Sequence, residues 1–143
     1  MTKEVLLTIS GLQFDGDGED AIEIVSTGTY SFRNGKHYVQ YDELLEQEEG
    51  STATVKCMVK ISPTTIEVIK KGPAAVHMIF EKDKTHMTYY TTPFGDLMLG
   101  ITTKSIVLEE TKSTLKLQLL YGLDMNYQYV ADCKLSIGIV NNE

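Results

Sequence analysis

Tyr30-Ser31-Phe32-Arg33-Asn34-Gly35-Lys36-His37-Tyr38-Val39-Gln40-Tyr41 is the stretch whose reading decides the fold. Asn-Gly between two alternating segments is the strongest short hairpin signal, because both central residues of a type I′ turn need positive φ. A two-residue loop here pairs Arg33 with Lys36, Phe32 with His37, Ser31 with Tyr38, Tyr30 with Val39, Gly28 with Tyr41 and Ser26 with Glu43. One face then carries Ile22, Ile24, Tyr30, Phe32, Val39 and Tyr41, and the other Thr27, Thr29, Ser31, Lys36, Gln40 and Asp42. Successive side chains of a strand point to opposite faces, so the first set faces a core.

The same alternation runs outward in both directions, with a first strand over 3–13. A turn at Pro63-Thr64 pairs Ile61 with Ile66 and Val59 with Val68 inside, and sets Lys60 against Glu67 outside as opposite charges. A third hairpin, through Lys82-Asp83-Lys84, joins 75–81 to 85–92. A fourth, at Lys112-Ser113, sets Leu108 against Leu117, Ile106 against Leu119 and Glu109 against Lys116. The last strand, 128–140, buries Tyr129, Ala131, Cys133, Leu135 and Ile137. Apolar positions are odd at Leu97, Leu99 and Ile101 but even at Ile106 and Leu108, so a bulge or a tight turn interrupts 103–105. Ten or eleven strands result. One helical turn, within 41–49 and stopped by Gly50, is the helix the pattern allows. Many short strands joined by tight turns favour an all-β, antiparallel up-and-down barrel, because closure removes exposed sheet edges.

The chain has 143 residues, which suits one domain over 1–143 with a core that needs no staples. A net charge of -7 argues against nucleic acid, since no basic stripe is available to displace counterions from phosphates. Cys57 and Cys133, 76 positions apart and both on apolar faces, read as buried free thiols. No apolar run reaches membrane-spanning length and the start lacks a signal-like stretch, so a cytoplasmic protein is expected.

Chemistry-bearing motifs are few. Asp15, Asp17, Glu19 and Asp20 cluster, but Asp20 and Ser26 stand where a calcium loop needs Gly and Glu. His37, His77 and His86 lack metal-ligand spacing, and no catalytic or phosphate-binding signature occurs. No catalytic residue, metal or cofactor is therefore expected. If the strands run up and down in order, the tight turns collect at one end and the longer connections at the other. Tyr41, Glu43, Lys70 and Tyr129 continue inward faces toward the long-loop end, and Tyr90 joins them. Glu43 and Lys70 break apolar stripes, and an inward charge must be paired, solvated or used.

Tyr38-Val39-Gln40-Tyr41-Asp42-Glu43, Ile69-Lys70-Lys71-Gly72 and Tyr90-Thr91-Thr92-Pro93-Phe94-Gly95 together resemble the YwiB-like family of uncharacterised bacterial proteins. The resemblance implies a calycin-like barrel, related in shape to lipocalins, and by analogy a small hydrophobic ligand. The family supplies no established reaction, so no catalytic role carries over. The expected function is non-enzymatic binding of a small, partly apolar ligand inside the barrel, through its long-loop end, at Tyr41, Glu43, Lys70, Tyr90 and Tyr129. The alternative is a protein-interaction module whose barrel is filled by its own side chains; an uncharacterised enzyme comes third. An enclosed apolar cavity favours the first, and native-density packing throughout favours the second.

Overall fold

The computed structural model describes residues 2–11, 23–46, 50–71, 75–92 and 95–141. It contains ten strands: β1 (Thr2–Ser10), β2 (Glu23–Arg33), β3 (Lys36–Glu46), β4 (Thr52–Ile61), β5 (Thr65–Lys71), β6 (Val76–Glu81), β7 (Thr85–Thr92), β8 (Gly95–Glu110), β9 (Thr114–Met125) and β10 (Gln128–Asn141). They form one antiparallel sheet of order β6-β5-β4-β3-β2-β1-β10-β9-β8-β7, curled into a nearly closed barrel. Leu44 and Leu45 extend β3, where a helical turn was expected.

The hairpin at Asn34-Gly35 has the expected register from Arg33–Lys36 to Thr29–Gln40. Its two turn residues have φ of 54° and 74°, the left-handed conformation that an Asn-Gly pair adopts most readily. Phe32 faces His37 as expected but is 50% exposed, because the hairpin tip runs past the end of the core. The expected pairs at Pro63-Thr64 and at Lys112-Ser113 all form.

The irregularity in β8 is a bulge: the register against β9 shifts between Thr103 and Ser105, leaving Lys104 as the extra residue. One bent strand, rather than two, accommodates the phase change. The hairpin expected between 75–81 and 85–92 has its turn but no ladder. Lys84 N donates to Glu81 O (3.1 Å), and then the turn docks on the bulge instead: Asp83 N donates to Thr103 O at 2.9 Å and Thr103 N donates to Lys84 O at 3.2 Å. Among the described residues β6 pairs only with β5 and β7 only with β8, so the two ends of the sheet meet here without zipping.

Inward side chains fill the barrel. Leu7, Val59, Ile61, Ile66, Val68, Phe80, Ile101, Leu119 and Leu135 have no accessible surface. Phe80 of β6 meets Tyr121 of β9 edge-to-face, with ring centroids 5.0 Å apart, so side chains from well-separated strands touch across the interior.

Candidate functional site

The pairing of β3 with β4 and of β4 with β5 puts Tyr41, Cys57 and Lys70 in one row across three strands, all facing inward. Glu43 lies two residues along β3 from Tyr41 and reaches back into that row. Lys70 Nζ sits 3.1 Å from Glu43 Oε1, and Tyr41 Oη donates to the same oxygen at 3.4 Å. The Lys70 and Glu43 side chains are 13% and 20% exposed, so each charge is neutralised within the wall rather than by bulk water. This is the pairing that an inward Glu and Lys require.

Burial, then the neighbouring Cys57 and Glu43, drives the Tyr41 phenol above its ordinary value. Burial, then the Glu43 carboxylate, pushes the Cys57 thiol up to about 11. At neutral pH both keep their protons, and Cys57 Sγ donates to Val55 O at 3.6 Å. The cluster therefore offers hydrogen bonds and a compensated charge pair; it does not offer a thiolate or phenolate nucleophile.

The other two expected site residues fall elsewhere. Tyr90 is on β7, four strands round the wall from Tyr41, half-buried against the core and paired with Leu97. Tyr129 was expected inside but is 63% exposed on the outer surface. A second bulge explains the difference: β10 shifts register between Tyr129 and Ala131, so Tyr129 pairs with outward Asp124 while Ala131 pairs with inward Leu123. Tyr129 then lies over Gly122 beside Asp132, whose Oδ1 is 2.8 Å from Lys104 Nζ. Lys104, the extra residue of the β8 bulge, holds the Asp132 carboxyl below its ordinary range, with Tyr129 adding to the effect.

A cleft of about 1090 Å³ lies on the wall of the barrel rather than inside it. β2 and β3 part after Thr29–Gln40, and the expected pairs Gly28–Tyr41 and Ser26–Glu43 do not form. Gly28 stands at the point of parting, where a Cβ would lie 2.8 Å from the Gln40 carbonyl oxygen. The cleft opens onto the outer sheet face, where Gln40, Asp42, Lys56, Met58, Lys60, Ile69 and Lys71 line it, with Tyr41 and Cys57 at its inner side. Glu43 and Lys70 stand one step further in and do not line it. Sequence reading missed this cleft, although a glycine inside a strand signals close backbone approach.

At the opposite end Tyr30 Oη lies 2.7 Å from His37 Nδ1, and His37 Nε2 lies 3.7 Å from Glu110, joining β2, β3 and β8. No three His, Cys, Asp or Glu side chains converge to hold a metal among the described residues. The acidic residues Asp15, Asp17, Glu19 and Asp20, and Ile22, lie outside the described residues.

Fold and site together define an all-β barrel protein with a filled interior and an open cleft on its outer wall. Residues 7–137 match the family described as Domain of unknown function (DUF1934), and the chain belongs to that family. It is 28% identical over 115 residues to the uncharacterized beta-barrel protein YwiB of Bacillus subtilis (strain 168), covering 79% of this chain and 78% of that protein. The crystal structure of ywiB protein from Bacillus subtilis matches with a TM-score of 0.77 at 25% identity, over 99% of this chain and 94% of that one. The YwiB-like resemblance and the all-β barrel are thus borne out.

Proposed function

We propose that the protein is a non-catalytic, cytoplasmic binding module that takes its partner outside a filled, calycin-like barrel, in the cleft between β2 and β3. One observation carries this reading: the inward side chains close the barrel core, while about 1090 Å³ of space lies along the outer face where two strands part. A lipocalin-type ligand needs an interior void, and Phe80 against Tyr121 occupies that place. The protonated Tyr41 and Cys57 favour binding over catalysis. The two free cysteines suit a reducing compartment.

The test is to map binding by NMR. Hits from a metabolite and peptide library, selected by thermal shift, are titrated into labelled protein. Perturbations at Thr27, Gln40, Lys56 and Met58 are expected. Perturbations confined to interior methyls of Val59, Leu119 and Leu135 would return the site to the barrel lumen and overturn the proposal.

A further inference from the structure

Register fixes three rows of side chains on the outer face of β4 and β5: Lys56 stands directly opposite Lys71, Met58 opposite Ile69, and Lys60 opposite Glu67. The last row is compensated within itself, and Glu67 also meets His77 Nε2 at 3.0 Å. The first row is not, because like charges directly opposite each other on one face of a sheet repel. β3 brings one carboxylate to it, Asp42, whose Oδ1 lies 3.3 Å from Lys56 Nζ. Lys71 forms no ion pair among the described residues, and its neighbour Lys70 points inward to Glu43. In a chain with a net charge of -7, the row Asp42–Lys56–Lys71 thus keeps one positive charge in excess.

Met58 and Ile69 form an apolar step beside that charge. Both face outward yet are half-buried, and both line the cleft with Gln40, Lys56 and Lys71. Successive rows on one face of a strand lie two residues, or about 7 Å, apart, and neighbouring strands about 5 Å apart. One or two fused rings therefore reach from the lysine row across Met58 and Ile69, where removal of apolar surface from water holds them. Gln40, opposite Met58 on β3, offers its amide at the side. The cleft, at about 1090 Å³, has room for such a molecule.

We infer that the outer face of β4 and β5 binds a small amphipathic organic anion. Its single acidic group, a carboxylate, sulfonate or phosphate, bridges Lys56 and Lys71, and its apolar body lies on Met58 and Ile69. This deepens the proposed function and rests on the same cleft.

The probe is anilinonaphthalene sulfonate, an aromatic monoanion of this size whose fluorescence rises on apolar contact. Two relatives dissect it: phenylnaphthylamine has the same rings without the acid, and inorganic sulfate is an anion without the rings. The sulfonate should bind the folded protein, shift the backbone amides of 40–42, 56–58 and 69–71, and weaken with salt. Phenylnaphthylamine and sulfate should each bind about tenfold more weakly or worse, a loss of about 1.4 kcal/mol. Lys71→Glu should show a similar loss and Lys71→Arg should not, both with unchanged circular dichroism and melting temperature. Asp42→Asn, which frees Lys56, should tighten binding about threefold, the scale of an exposed ion pair. Should Lys71→Glu fail to fold, Asp42→Asn decides on its own.

Equal binding of phenylnaphthylamine overturns recognition of an anion, and equal binding of sulfate overturns the apolar seat. Unchanged binding by Lys71→Glu or by Asp42→Asn moves the acid away from the lysine row and overturns the inference. Sedimentation of the protein with vesicles of phosphatidylcholine and phosphatidylglycerol would put the anion on a membrane surface and overturn the free ligand. If the sulfonate does not bind while library compounds still perturb Thr27 and Gln40, this inference fails and the cleft remains the binding site.

Discussion

Glu43 and Lys70, 27 positions apart in sequence, meet at 3.1 Å on the inner wall of the barrel, and Tyr41 donates to the same carboxylate. Because both charges are largely withdrawn from water, each exists at low cost only in the presence of the other. Glu43→Gln or Lys70→Met should each lower stability by about 1–2 kcal/mol, between the values for exposed and buried pairs. The double variant should lose about 1 kcal/mol less than the sum. Urea denaturation of the four proteins measures this, and strict additivity would show that the pair is not coupled.

Phe80→Ala tests whether the interior is solid. Phe80 has no accessible surface and meets Tyr121 edge-to-face, so truncation removes a ring from a packed core and should cost about 3–5 kcal/mol. A loss below about 1 kcal/mol, typical of a surface change, would mean that the ring borders a void.

Alkaline stability should report on Cys57. Its folded value, about 11, lies above the ordinary 9.0, so the folded state holds this proton more tightly than the unfolded chain does. The stability it contributes is fully present below pH 9.0 and is lost as pH rises through about 11. Cys57→Ala should flatten the fall of melting temperature over that window. Iodoacetamide should label Cys133, which is less buried, before Cys57. The reverse order of labelling would contradict the burial argument.

The acid limb should report on the outer cluster. Lys104, and then Tyr129, hold Asp132 below its ordinary 3.8, so the folded state binds that proton less tightly than the unfolded chain. The corresponding stability is present above pH 3.8 and disappears as pH falls through the lower folded value. Asp132→Asn should make the melting temperature fall less steeply with acidification in this range. An unchanged slope would remove Asp132 from the acid transition.

The hairpins were legible because local chemistry specifies them: Asn34-Gly35 dictates its own turn, and Lys60 opposite Glu67 confirms a register that Ile61 and Ile66 already require. The β8 bulge was legible because it moves the apolar phase between Ile101 and Ile106. The β10 bulge was not. Tyr129, Ala131 and Cys133 keep perfect alternation across it, and the extra residue, Val130, is itself apolar, so nothing in the pattern marks the slip that turns Tyr129 outward.

Glu43 and Lys70 were legible as charges breaking inward stripes. Their partnership with Cys57 depends on how β3 aligns with β4, and the intervening connection sets no register in sequence. The parting of β2 from β3 and the unzipped β6–β7 junction were equally hidden. Turn chemistry fixes how two strands begin to pair but not how far the ladder runs before sheet curvature separates them.

Among the described residues every strand pairing except one joins neighbours along the chain; the exception is β1 with β10, whose ladder runs from Val5–Asn141 to Ser10–Ser136. As the polypeptide leaves the ribosome, β1 to β6 can assemble as one meander and β7 to β10 as another, because within each group the pairings join strands that follow one another in the chain. The seam between them waits for β10. Until then the outer edge of β1, with Leu6 on one face and Leu7 on the other, has no partner strand. The nascent protein thus carries an exposed edge from the synthesis of β1 until that of β10, and a stop codon placed before β10 would leave two half-barrels prone to pairing with other chains.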